Sequence, residues 1–167
     1  MRLNIAYRKI QRFLENSSIM DEVDIELNQR RVGVSLDSQT TTTIDSSGEY
    51  KPIEGATTVD GNSKGFEEQS PGVIELVRDD VAEVHMSANA TIIAPDGENF
   101  QFATAKNGNV QPTKEIRAQG VAGVPIPIGV SAIEVVGPGD TLSVQVSNED
   151  SASNLDVLKY NFTVYGR

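Results

Sequence analysis

From Val73 to the end of the chain, apolar and polar residues alternate in run after run. Between the runs stand residues that bend a chain: Asp79-Asp80, Asp96-Gly97, Asn107-Gly108, Gly120 and Gly137-Pro138-Gly139. A period of two puts successive side chains on opposite faces of an extended backbone, so these runs predict half-buried strands joined by tight turns. The stretch "VVGPGDTLSVQVSN", residues 135–148, is the clearest case, with Leu142, Val144 and Val146 pointing one way and polar residues the other. On that register Val144 is core and Ser143 tolerates a charge. Strands are expected at 73–78, 81–94, 99–106, 113–119, 124–136, 140–148 and 155–165. In the second of these, Val84, Met86, Ala88 and Ala90 form a dry face, and Glu83, His85, Ser87 and Asn89 a wet one. Pro125 and Pro127 cannot donate to a ladder, which predicts an edge strand at 124–136.

Earlier in the chain the pattern is less regular. Val23, Ile25 and Leu27 alternate with charged residues, and Val32, Val34 and Leu36 resume the alternation after a polar turn, which predicts a strand pair. Residues 37–70 are rich in Thr, Ser, Gly and Asp, and predict short strands near 40–44 and 50–54 followed by a long loop over 55–70. Residues 1–20 stand apart. Leu3, Tyr7, Ile10 and Leu14 recur at helical spacing, with Ala6 and Phe13 widening the stripe, so a short amphipathic helix is expected there. Arg2, Arg8, Lys9 and Arg12 against Glu15 give this segment +3, which leaves −13 on the rest of a chain whose formal net charge is −10.

With 167 residues, 38% of them hydrophobic, the chain can bury one sizeable core, but aromatics are only 5% and there is no Trp. The fold class read from this is all-β. An acidic body repels nucleic acid and anionic membrane, and no run approaches the roughly 18 apolar residues of a membrane span, so neither is expected as a partner. The absence of cysteine removes disulfides, thiolate nucleophiles and Cys-ligated zinc. Arg8, Lys9 and Arg12 interrupt any apolar core of a signal peptide, which predicts synthesis in the cytoplasm.

Taken in order, "TTTTIDSSGEYKPIEG", "VAEVHMSANATI", "FATAKNGNV", "IEVVGPGDTLSVQVSN" and "YNFTVYGR" resemble the C1q/TNF-like jelly roll of tailed-bacteriophage virion proteins, the head decoration and head-fibre type. The resemblance implies a jelly-roll β-sandwich over residues 37–167; residues 1–36, which it does not cover, are read from their own periodicity as an N-terminal arm with a short helix and strands. It implies that Asn107-Gly108 makes a hairpin and Gly139-Asp140 a turn, with Leu142, Val144 and Val146 in the core. It also implies a homotrimer, without cofactor or metal, on the capsid surface. On this reading the function is that of a structural capsid decoration, cement or head-fibre protein. Its partners are the major capsid protein or other virion proteins, and Leu3, Tyr7, Ile10, Phe13 and Leu14 are the candidate attachment residues. The alternative is the receptor- or glycan-binding tip of a tail fibre, with a host-surface glycan as partner.

No catalytic constellation is legible. The sole histidine, His85, lies mid-strand beside Glu83 with no serine in a triad arrangement. "APDGEN" and "VDGN" resemble pieces of calcium loops but lack the alternating oxygen ligands and closing Glu. The expectation is therefore not an enzyme.

Overall fold

The computed structural model describes residues 30–36, 38–60, 65–77 and 82–166. Within them the chain forms twelve strands and no helix. They are β1 (Arg30–Ser35), β2 (Thr40–Thr42), β3 (Lys51–Pro52), β4 (Thr57–Asp60), β5 (Phe66–Ser70) and β6 (Val73–Leu76), then β7 (Ala82–Ile93), β8 (Asn99–Lys106), β9 (Asn109–Gln119), β10 (Ile126–Val136), β11 (Thr141–Asn148) and β12 (Leu155–Gly166). One sheet runs β10-β7-β12-β1-β4 with β2 paired to β12; the other runs β5-β6-β11-β8-β9 with β3 paired to β11. All described pairings are antiparallel. The chain is an all-β jelly roll in which strands distant in sequence lie side by side, as β1 and β12 do.

The alternation read from sequence builds the core. Val84, Met86, Ala88 and Ala90 of β7, Phe162 and Val164 of β12, and Leu142, Val144 and Val146 of β11 are all buried. Phe66, Phe100 and Phe102 join them from the second sheet. Four of the chain's five phenylalanines therefore sit between the layers, where each buries a large apolar area. The expected edge strand is observed, because β10 ends its sheet and Pro127 lies within it.

Three expectations need correction. The loop expected over 55–70 contains β4 and β5, which pattern analysis passes over because Phe66 is the single buried anchor of a strand otherwise made of exposed polar residues. Arg30–Ser35 belongs to the sandwich rather than to an arm. It pairs along its length with β12 and on its other side with β4, and both Val32 and Val34 are fully buried. Its expected hairpin partner at 23–27 and the helical stripe of Leu3, Tyr7, Ile10, Phe13 and Leu14 lie outside the described residues. Finally, the wet face expected on β11 is dry. Ser143, Gln145 and Ser147 are buried, since β11 is a central strand and Ser143 sits between Val73 of β6 and Ala105 of β8.

A roof of polar side chains lies over part of this second sheet. The Tyr50 hydroxyl bonds to Gln101 and to Glu115 Oε2 at 2.8 Å, and Gln101 Nε2 donates to Glu149 at 2.7 Å. Arg117 spans both carboxylates at 3.3 Å each. Burial, reinforced by Glu115, pushes the Tyr50 hydroxyl above its ordinary range.

The turns are stapled to one another. Asn107 has φ 52° and Gly108 φ 73°, the pair of left-handed residues that a two-residue hairpin between β8 and β9 requires. Asn107 Nδ2 donates to Asp140 Oδ1 at 2.7 Å, and its Oδ1 accepts from the Thr141 N–H at 2.8 Å. Asp140 Oδ2 accepts from the Gly137 N–H at 2.8 Å and from Lys106 Nζ at 2.7 Å. Asn107, the Gly137 amide and Lys106 together hold the Asp140 carboxyl at about 2, below its ordinary 3.8. A depressed carboxyl pKa stabilises the fold fully above the unfolded value and loses that contribution as pH falls from about 4 through about 2. Asp140→Asn should therefore cost about 1–2 kcal/mol at pH 7, the full linkage value being discounted for a partly exposed group. It should also flatten the fall in stability between pH 4 and 2; denaturant titrations of both proteins across that range check this, and parallel pH profiles would rule it out.

Along one side the two sheets are clasped by lysines. Lys114 of β9 pairs with Glu134 of β10 and donates to the Ile133 carbonyl at 3.2 Å, and Lys106 of β8 donates to the Val135 carbonyl at 2.8 Å. Glu134 occupies the inward phase of β10, and its partner in the opposing layer explains why a charge is tolerated there.

Candidate functional site

The first sheet has one face on the core and one turned outward, and the outward face of β10, β7 and β12 is the candidate site. Cross-strand register orders it in rows. Val135 is opposite Glu83; Ile133 opposite His85, which is opposite Tyr165; Ser131 opposite Ser87 and then Thr163; Gly129 opposite Asn89 and then Asn161; Pro127 opposite Thr91 and then Lys159. A bulge in β12 between Val157 and Lys159 resets the alternation, so that Tyr160, Phe162 and Val164 turn inward and Lys159, Asn161 and Tyr165 outward.

The rows grade from apolar to polar. At one end Ile133, Val135 and Tyr165 are 54%, 58% and 45% exposed, and Ile133 and Tyr165 line a shallow groove of about 810 Å³ together with His85, Ser87, Ser131 and Ala132. At the other end, carboxamides and hydroxyls from Asn89, Asn161, Thr91 and Ser38 line a second groove of about 840 Å³, with Leu36 and Leu158 as its apolar walls. A Cβ at Gly129 would stand 2.6 Å from Asn89 Oδ1, so any larger residue there would displace the Asn89 side chain. Contiguous large apolar side chains on the outside of a sheet mark surfaces that are covered in use.

The apolar end is also where the chain joins the sheet. Arg30 pairs with Gly166 and Arg31 with Tyr165, so β1 begins beside the Ile133–His85–Tyr165 row. His85 thus has Ile133 and Tyr165 as its cross-strand neighbours, an environment suited to packing. Among the described residues no group of three His, Cys, Asp or Glu side chains is placed to hold a metal ion. Asp96 of "APDGEN" instead accepts from the Ala122 N–H at 3.1 Å, tying two loops together. Nor is any helix among the described residues long and apolar enough to cross a membrane.

Of the residues singled out in sequence, Asn107, Gly108, Gly139 and Asp140 form the stapled turns and Leu142, Val144 and Val146 lie in the core; none of them lines the outward face. Ile133, Val135 and Tyr165 were not singled out. Their signal was available: "AIEVV" at 132–136 carries apolar residues in both phases, whereas a strand with one wet face alternates.

No protein-family model and no curated protein matches the chain. Among solved structures, the chain is similar to the Eiger TNF of S. frugiperda, with TM-score 0.51 and 9% identity, covering 84% of this chain and 93% of that one. It is similar to the PRD1 vertex protein P5, with TM-score 0.50 and 13% identity, covering 83% of this chain and 96% of that one. The globular domain of zebrafish complement 1qA matches with TM-score 0.46 and 10% identity, over 82% and 96% of the respective chains. At these identities the likeness to the first two establishes the fold alone, a TNF-like jelly roll.

Proposed function

We propose that this chain is a structural protein of a virion surface, a homotrimeric jelly roll that decorates or cements the capsid of a tailed bacteriophage or stands on it as a head fibre. The observation that carries the reading is the outward face of β10, β7 and β12, whose apolar end is half exposed and lies beside the start of β1. A face of this kind suits assembly rather than catalysis, and the chain's acidic body disfavours nucleic acid as its partner. The PRD1 vertex protein P5, similar in fold, is by its name a component of a particle vertex, which supports a place on a virion. In this reading the segment ahead of β1 supplies inter-subunit or attachment contacts, and the major capsid protein is the partner beneath.

The test is sedimentation equilibrium of the full chain and of Ile133→Asp, followed by electron microscopy of particles mixed with each. A trimer that Ile133→Asp dissociates, together with loss of decoration, is the expected result; a charge placed in an interface core costs several kcal/mol. A monomer at micromolar concentration defeats the proposal.

The amide-lined groove of Asn89, Asn161, Thr91 and Ser38 favours a second reading, the glycan-binding tip of a fibre. Binding to a glycan array, abolished by Asn161→Ala, would establish it.

A further inference from the structure

Three half-exposed side chains, Ile133, Val135 and Tyr165, offer on the order of 300 Å² of apolar surface, against roughly 800 Å² per partner in a stable interface. The rows beyond them are Ser, Thr and Asn, which add complementarity but little burial. A trimer that closed on this face alone would be undersupplied with apolar contact. The missing surface is present elsewhere in the chain. Leu3, Tyr7, Ile10 and Leu14 form an apolar stripe at helical spacing.

We propose that the apolar end of the outward face, around Ile133, His85 and Tyr165, is the seat of the Leu3–Tyr7–Ile10–Leu14 stripe donated by a neighbouring copy, so that the copies are joined by exchanged N-terminal segments. The inference rests on the trimer reading above and names what fills its interface. Three observations support it. The segment is tethered at the right place, because β1 begins at Arg30 beside Gly166, in the register row next to Tyr165. Its reach is long: residues 15–29 span up to about 50 Å when extended, while the distance across β12 and β7 to β10 is about 14 Å, so the segment can extend well past its own sheet. Its charge is complementary, since Arg8, Lys9 and Arg12 flank the stripe and Glu83 lies exposed beside Val135. Donation in one direction around a ring is a heterologous contact, and three such contacts close a three-fold assembly without leaving a seat empty.

A cysteine-free chain makes the test direct. Two differently tagged full-length versions are prepared, one carrying Ile10→Cys and the other Ser131→Cys, an exposed position beside Ile133. They are assembled together and oxidised, with Ala152→Cys, at the other end of β11, as the distant control. The expected result is a covalent product bearing both tags, absent with Ala152→Cys and lost when Leu3 and Leu14 are also changed to Asp. If a chain carrying both Ile10→Cys and Ser131→Cys closes only on itself and no two-tag product forms, the segment seats on its own chain and exchange is overturned. If no product forms while sedimentation still reports a trimer, the seat itself is wrong and the trimer reading stands. If sedimentation reports a monomer, both fall.

Discussion

Val144→Asp should abolish soluble folding, and Ser143→Asp should be damaging as well. Val144 is 1% exposed, lies in the same sheet as Phe100 and Phe102 with its side chain in the core between the layers, and pairs with Thr104 of β8. A carboxylate there has no partner, and an uncompensated buried charge costs several kcal/mol out of a domain stability of about 5–15 kcal/mol. Ser143 points to the other side of β11 but is only 4% exposed, held between Val73 and Ala105. Its change to Asp should cost about 2–3 kcal/mol by desolvation, whereas Ser143→Ala should be near neutral. Denaturant midpoints of the soluble variants and the soluble fraction of Val144→Asp provide the readout. A Ser143→Asp protein within about 0.5 kcal/mol of the parent would show that water reaches this face of β11.

The second large effect is expected at Gly120. A Cβ built there would lie 2.0 Å from the Pro95 carbonyl oxygen and 3.0 Å from its carbon, both backbone atoms with no rotamer to yield. Gly120 is tied into the same contact, donating to the Glu98 carbonyl at 2.7 Å and accepting from the Gly97 N–H at 3.0 Å. Gly120→Ala must therefore push apart the two loops that it joins, at about 2–4 kcal/mol, the upper range of overpacking. It should also loosen the Val121–Val124 turn, seen as faster amide exchange at Ala122 and Val124. Unchanged thermal stability would mean that the loops separate freely.

How far these arguments were available from sequence depends on what each strand faces. β7, β8, β11 and β12 were legible nearly to their ends, because long antiparallel strands keep their large apolar side chains in one phase even where, as in β8 and β11, the other phase is buried too. β5 was not, because an edge strand with one anchor, Phe66, leaves no period to detect. β1 was read as a strand yet given the wrong neighbours, since a periodic pattern says which face is dry and nothing about which strand lies alongside. Pairing of residues 30–35 with 161–166 is a long-range choice made by packing. Ser143 illustrates a related limit: a small polar side chain reads as wet, but in the middle of a sheet its neighbours exclude water whatever its chemistry. The outward face was the least legible part. Recognising it needs the register that sets Ile133, His85 and Tyr165 in one row, and residues more than thirty apart in sequence give no hint of such a row.

The lysine clasp has a consequence for how copies can meet. β10 has a described partner on one side only, and a bare strand edge invites a further strand, from any nearby copy, to extend the sheet without limit. Lys114 and Lys106 already occupy the carbonyls of Ile133 and Val135. An incoming strand would have to displace two ammonium groups and accommodate Pro127, which has no amide hydrogen to offer. Open-ended fibril growth along this edge is thereby discouraged even where copies crowd together. Association is left to the flat of the sheet, where a finite ring can close.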